Sequence, residues 1–211
     1  MGDMKSFRDA VVAWAGSGRG DEGARERAVG LVGEVGVRGV VLVEGPSDVG
    51  AVEAFAGRLG RDLVGEGICV LAMGGAMGVG RFAGFLGPDG LGLRLTGLCD
   101  ERERDYFERG WTRAGVVGSR DYFVCAADLE DELIRALGVE RVIEIVREEG
   151  DLRPLETFLR QPAQRERTPQ QQLRRFFGTT KGRKIHYGGV LVRGLEGERV
   201  PGPLARLFEV L

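Results

Sequence analysis

This 211-residue chain contains one histidine, His186, and three cysteines. A lone histidine excludes a His-rich metal cage and argues against nucleases of the ββα-metal type. Cys69, Cys99 and Cys125 are spaced 30 and 26 residues apart, which matches no zinc knuckle or ribbon. Each falls in a predicted strand, so buried, reduced core thiols are expected. No apolar run approaches the ~20 residues of a membrane span, and the N-terminus carries no signal-peptide h-region. A cytoplasmic protein without a membrane partner is the expectation. The phosphate loop Gly-x-x-x-x-Gly-Lys-Ser/Thr is missing, and so is the Gly-x-Gly-x-x-Gly spacing of a dinucleotide cradle. No serine or cysteine has a convincing base partner for nucleophilic catalysis.

What is present reads as an ordinary globular chain, 43% hydrophobic and 29% charged, long enough for one domain with an appendage. Its 36 glycines are scattered among apolar periodic segments, which points to compositional bias rather than disorder. The net charge of −2 conceals a polarity. Between Asp128 and Glu156 stand ten acidic and four basic residues, a formal −6; between Arg160 and Lys184 stand eight basic and one acidic, a formal +7. An acidic centre beside a basic arm suits a metal-dependent enzyme acting on nucleic acid, because carboxylates hold cations while the arm neutralises phosphates. The plainer alternative is two solvated helix faces.

Hydrophobic periodicity places a helical stretch over 4–35, broken at Gly16-Ser17-Gly18-Arg19-Gly20, and strands at 39–44, 68–73, 93–98 and 121–126. Crossover helices fall at 49–59 and 101–114. Six more follow at 129–137, 139–149, 152–160, 169–177, 183–194 and 201–210. The cluster Gly74 to Gly80 reads as a loop.

Chemistry gathers at the strand ends. Val40 to Val43 is a doubly buried strand that stops at Glu44, and Asp48 opens the next helix about one turn away. Ligands of open α/β sheets bind beyond the carboxyl ends of strands, and paired hard oxygens suit Mg²⁺ or Mn²⁺. The alternative is that Asp48 caps the helix and Glu44 is a solvated strand end. Two later strands also end in acid, at Asp100-Glu101-Arg102-Glu103 and at Asp128-Leu129-Glu130-Asp131-Glu132. Right-handed crossovers return parallel strands in one direction, so the three ends share one rim. Carboxylates that crowd together repel unless a cation neutralises them.

Glu44-Gly45-x-x-Asp48 on a first strand, followed by an acidic strand end at Asp100, resembles the Toprim domain of topoisomerases, primases and several nucleases. Asp128-Leu129-Glu130 and Lys184 in Gly182-Arg183-Lys184 narrow the likeness to the Toprim nuclease half of the overcoming-lysogenisation-defect (OLD) family, over roughly residues 36–211. Two departures stand out. Arg102 occupies the second position of the usual Asp-x-Asp; Glu101 and Glu103 are candidates to replace it, and Glu103 is preferred because it follows Asp100 by almost one helical turn. The family also joins its Toprim part to an ATPase, which this sequence lacks, so nucleotide hydrolysis would come from a partner chain.

The resemblance implies an α/β fold, a Rossmann-like parallel Toprim sheet flanked by helices with N- and C-terminal helical additions. The divisions are 1–36 (helical segment), 37–150 (Toprim core) and 151–211 (basic helical segment completing the site). It implies a Mg²⁺- or Mn²⁺-dependent endonuclease acting on DNA, in phage defence or DNA processing. Glu44, Asp100 and Glu103 would hold one cation, with Asp48, Asp128 and Glu130 favouring a second. Glu44, Asp48, Asp100 and Lys184 form the catalytic set, in which Lys184 neutralises charge on the pentacoordinate phosphate. Arg165, Arg167, Arg174, Arg175, Lys181 and Arg183 would grip the DNA backbone. Phe176 and Phe177 either stack on bases or belong to the core, and the core is favoured. The implied partners are DNA, a separate ATPase or defence-system chain, and a second copy of the chain. The rival from another class is a non-catalytic nucleic-acid-binding or assembly module of a recombination or repair complex.

Overall fold

The structure is a computed structural model that describes residues 2–16, 21–116, 121–197 and 199–211. Two helices, α1 (Met4–Gly16) and α2 (Glu22–Val35), precede β1 (Gly39–Val43), α3 (Pro46–Arg58) and β2 (Ile68–Ala72). A 3₁₀ turn at Ala76–Gly78 leads into α4 (Val79–Leu86), then β3 (Arg94–Asp100). A second 3₁₀ turn, Glu101–Glu103, opens α5 (Arg104–Arg113), which returns the chain to β4 (Tyr122–Cys125). The rest is helical: α6 (Leu129–Leu137), α7 (Val139–Glu148), α8 (Leu152–Leu159), α9 (Pro169–Phe177), α10 (Lys181–Arg193) and α11 (Gly202–Val210). The break expected after Gly16 falls largely on 17–20, outside the described residues.

The four strands form one parallel sheet in the order β2-β1-β3-β4. Successive side chains on a strand point to opposite faces, so each strand feeds two cores. Val41 and Val43 pack with α3 and α6 to α11 on one face. Val40 and Leu42 pack with α1, α2, α4 and α5 on the other. This double burial is why the strands read as continuous apolar runs rather than alternating ones. All three cysteines are buried and free, as expected. Among the described residues, no helix is long and apolar enough to cross a membrane.

The topology locates the crevice. The helices that follow β1 and β3, α3 and α5, lie on opposite faces of the sheet. The carboxyl ends of these two neighbouring strands therefore border a topological switch point, where open α/β sheets bind ligands. Gly97 pins α5 down at this place: a Cβ there would stand 2.9 Å from both the Leu42 carbonyl oxygen and the Phe107 ring.

Of the boundaries that differ from expectation, three bear on the site. β3 runs on to Asp100 rather than stopping at 98, because β4 continues the ladder through the pair Asp100–Cys125. α3 starts at Pro46, whose fixed φ suits a first helical position, so Asp48 is the third helical residue rather than the opener. α10 begins at Lys181, capped by Thr180, whose hydroxyl accepts from the Arg183 N–H at 3.3 Å. One helix, α4, was not anticipated. Its apolar face, Val79, Phe82, Ala83, Phe85 and Leu86, is interrupted by glycines that read as loop.

Candidate metal centre and basic cleft

The ladder continues past β1, since Met73 N–H donates to the Val43 carbonyl at 2.9 Å and Gly74 N–H to that of Glu44 at 3.0 Å. This fixes the backbone of Glu44 at the crevice. Asp100 is the last residue of β3, and the 3₁₀ turn after it folds Glu103 back. One oxygen from each of Glu44, Asp100 and Glu103 lies within 4.8 Å of the other two. Glu101 instead pairs with Arg104 at 2.9 Å on the surface. Glu103 thus joins Glu44 and Asp100, and Glu101 does not.

The electrostatics of this trio are those of crowded, half-buried carboxylates. Burial, reinforced by the charges of Asp128, Glu44, Glu103 and Asp48, pushes the Asp100 carboxyl up to about 8. Burial and then Glu44 raise that of Glu103, whose Oε2 is buried without a hydrogen-bond partner. Asp48 adjoins them with Oδ2 accepting from the Gly45 N–H at 2.9 Å. Burial and then Glu130 lift its carboxyl to about 7, against the pull of Gly45 and Lys184. An all-oxygen donor set, one orphaned carboxylate oxygen and acids that hold protons to neutral pH fit a hard divalent cation.

The other half of the acidic rim is arranged differently. Asp128 caps α6, its Oδ1 accepting from the Asp131 N–H at 2.8 Å. Its Oδ2 accepts from Arg174 Nε at 2.6 Å. The Glu130 side chain is 4% exposed, with Lys184 Nζ 3.4 Å from its Oε1. Burial works against the Lys184 ammonium, yet Glu130, Asp48 and Asp128 hold its pKa above the usual lysine value. Asp131 and Glu132 build the turn: Arg135 reaches both, Gln170 donates to Asp131 and the Ala126 N–H to Glu132.

Glycine also positions Lys184. A Cβ on Gly188 would collide with the Ser47 carbonyl, so α10 lies directly against the start of α3 at that point. Lys184, one turn earlier, is thereby carried over Glu130. Ser47, buried at this contact, lies beside Glu130 and opposes the rise that burial imposes on its carboxyl. Sequence reasoning passed over Ser47, although it sits inside the Glu44–Asp48 motif.

A cleft of about 460 Å³ is lined by Asp128, Glu130, Arg167, Arg174, Arg175 and Lys184, together with Gln171. Arg165 is exposed and is not among the lining residues. Arg183 is not brought to the cleft. It pairs with Asp151 at 3.3 Å and lies 4.2 Å over the Phe176 ring. Neighbouring helical residues point about 100° apart, and on α10 it is Lys184 that lines the cleft while Arg183 turns to Asp151. The side chain of Lys181 lies outside the described residues. Phe176 and Phe177 are both 1% exposed and belong to the core, which excludes base stacking in this arrangement. His186 is occupied by Glu149, 2.6 Å away.

Residues 37–101 match the family described as overcoming lysogenization defect protein-like, TOPRIM domain. Over residues 37–101 the chain is similar to an OLD-like Toprim domain. Its fold matches the C-terminal region of the OLD protein of Xanthomonas campestris pv. campestris, with a TM-score of 0.61 at 26% identity over 82% of this chain and 93% of that one. The C-terminal region of the Burkholderia pseudomallei OLD protein shares the fold at a TM-score of 0.62 and 21% identity, over 82% of this chain and 96% of that one. Curated proteins gave no match. The OLD-like Toprim fold and the trio of Glu44, Asp100 and Glu103 together fit a metal-binding domain of nuclease type.

Proposed function

We propose that the chain is a divalent-metal-dependent phosphodiesterase that cuts DNA. The observation that carries this reading is the convergence of Glu44, Asp100 and Glu103 at the switch point, near a cleft lined by three arginines and Lys184. Glu44, Asp100 and Glu103 would hold Mg²⁺ or Mn²⁺, with the Asp48 carboxylate beside them. A bound cation supplies Lewis-acid polarisation of a phosphoryl group and a more acidic water.

The chain's own residues do the rest. Arg167 and Arg175 offer guanidinium groups to backbone phosphates flanking the reacting one. Lys184 presents an ammonium that Glu130 holds in place. Its charge stabilises the reacting phosphate most as negative charge builds there, so it contributes more to the transition state than to binding. The OLD likeness suggests an ATPase as partner. That likeness also suggests a place in phage defence or DNA processing.

Purified protein with Mg²⁺ or Mn²⁺ should nick supercoiled DNA without ATP, and Glu44→Ala should abolish nicking while leaving the circular dichroism spectrum unchanged. Equal nicking by wild type and Glu44→Ala would overturn the proposal. One observation favours a second reading: Asp128 and Glu130 already carry internal counter-charges. If the protein binds DNA but cleaves none with either metal, the non-catalytic assembly module is the correct account.

A further inference from the structure

The acidic rim divides into two halves of unlike chemistry. Glu44, Asp100 and Glu103 converge with no basic side chain bonded to any of them among the described residues. Asp128 and Glu130 each have one, Arg174 at 2.6 Å and Lys184 at 3.4 Å. Both oxygens of Asp128 are in use, one on the α6 backbone and one on the guanidinium. The Glu130 side chain is 4% exposed, lines the cleft and makes no hydrogen bond of good geometry through either oxygen. A carboxylate so deeply buried, with Ser47 and a long ion pair beside it, is a site built for positive charge.

Resting on the reading that Glu44, Asp100 and Glu103 hold a cation, we propose that Arg174 is a resident counter-cation that sets the number of metal ions. Its guanidinium on Asp128, beside Lys184 on Glu130, occupies the second cation position at this rim. The chain therefore binds one divalent ion tightly, and a second enters only when Arg174 gives up Asp128. The geometry makes this exchange local. Arg174 is part-exposed and stands on the last turn of α9, in the same cleft as Arg167 and Arg175. A backbone phosphate in that cleft offers the guanidinium another anion within its own reach. Phosphate binding and entry of the second ion are thus linked: each favours the other, and by the same factor.

The test is Mn²⁺ binding to the full chain without DNA, followed by electron paramagnetic resonance and calorimetry. Wild type should take up one ion per chain. Arg174→Gln should take up two, the second with an apparent Kd lowered by about tenfold or more relative to wild type. Arg174→Lys retains the charge and should stay at one. Adding Asp128→Asn to Arg174→Gln should return the count to one. Two ions of similar affinity in wild type would overturn this inference and leave the primary metal site standing, as would a single ion in a folded Arg174→Gln protein. A chain that binds no Mn²⁺ would overturn the metal reading and this inference together.

Discussion

Asp100 and Asp48 show what the site costs when no cation balances it. Both begin from an ordinary value of 3.8 and end near 8 and 7, chiefly through burial and then through neighbouring carboxylates. Above pH 3.8 the unfolded chain has released protons that the folded chain keeps. Stability of the metal-free protein therefore falls as pH rises from about 4 towards 8 and levels off beyond, since stability tracks the difference in bound protons. Melting temperature in chelator, measured from pH 5 to 9, should follow that decline, and added Mn²⁺ should recover most at the alkaline end. Asp100→Asn removes one repelling charge and should raise the melting temperature of the metal-free protein at pH 8 by about 2–4 °C, or ~1 kcal/mol for a chain of this size. The same variant should lose the Mn²⁺-dependent rise. A melting temperature that climbs with pH in chelator would contradict the burial of these acids. The sequence placed acids at three strand ends and named Glu103 as the stand-in for the missing aspartate. It could not show which oxygens were already taken, because Arg174 lies 46 positions from Asp128 in the chain and α9 meets α6 only through tertiary packing.

At the scale of elements, the contact between α3 and α10 decides where Lys184 stands. Gly188 is required there by close approach, whereas a Cβ on Gly182, six residues earlier in the same helix, would meet nothing within 4 Å. Two substitutions in one helix should therefore have opposite signs. Gly188→Val should destabilise by about 1–3 kcal/mol, as overpacking does, and should lower cleavage further by moving Lys184 off Glu130. Gly182→Ala should be neutral or stabilise by up to about 1 kcal/mol, since alanine is the better helix former. Denaturant midpoints for both variants give the answer. A destabilised Gly182→Ala, or an unaffected Gly188→Val, would show that α10 is placed by something else. Glycine also explains the helix that the sequence concealed. Gly80 of α4 meets Gly110 of α5, where a Cβ on Gly110 would stand 2.9 Å from Val79 Cγ1. A residue that normally ends helices is here the one that lets two helices touch. Strands and C-terminal helices were legible because their apolar periods are strong; α4 was not, because packing overrode propensity.

For the whole molecule, the question is how much of the basic arm is free to meet DNA. The sequence shows a formal +7 between Arg160 and Lys184, but three of those charges are spent within the fold: Arg174 on Asp128, Arg183 on Asp151 and Lys184 on Glu130. Among the described residues Arg167 and Arg175 line the cleft with no carboxylate partner, Arg167 bonding instead to the Ala163 carbonyl and the Gln164 side chain. They are the residues from which phosphate affinity should come. Each phosphate contact releases counterions and adds about 0.9 to the slope of log affinity against log salt on duplex DNA. Losing Arg167 and Arg175 together should therefore weaken binding and flatten that slope by about two units, with little sequence dependence. Mn²⁺ uptake by this double variant should not change, because neither guanidinium touches the rim carboxylates. Lys184→Ala should behave in the opposite way. Its ammonium is committed to Glu130 in the free protein and gains its full effect only when charge accumulates on the reacting phosphate, so single-turnover cleavage should fall far more than affinity. Measuring DNA affinity at several salt concentrations beside single-turnover cleavage separates the two roles. If Lys184→Ala reduces binding and cleavage in equal proportion, Lys184 is one more phosphate anchor, and the transition-state role assigned to it fails.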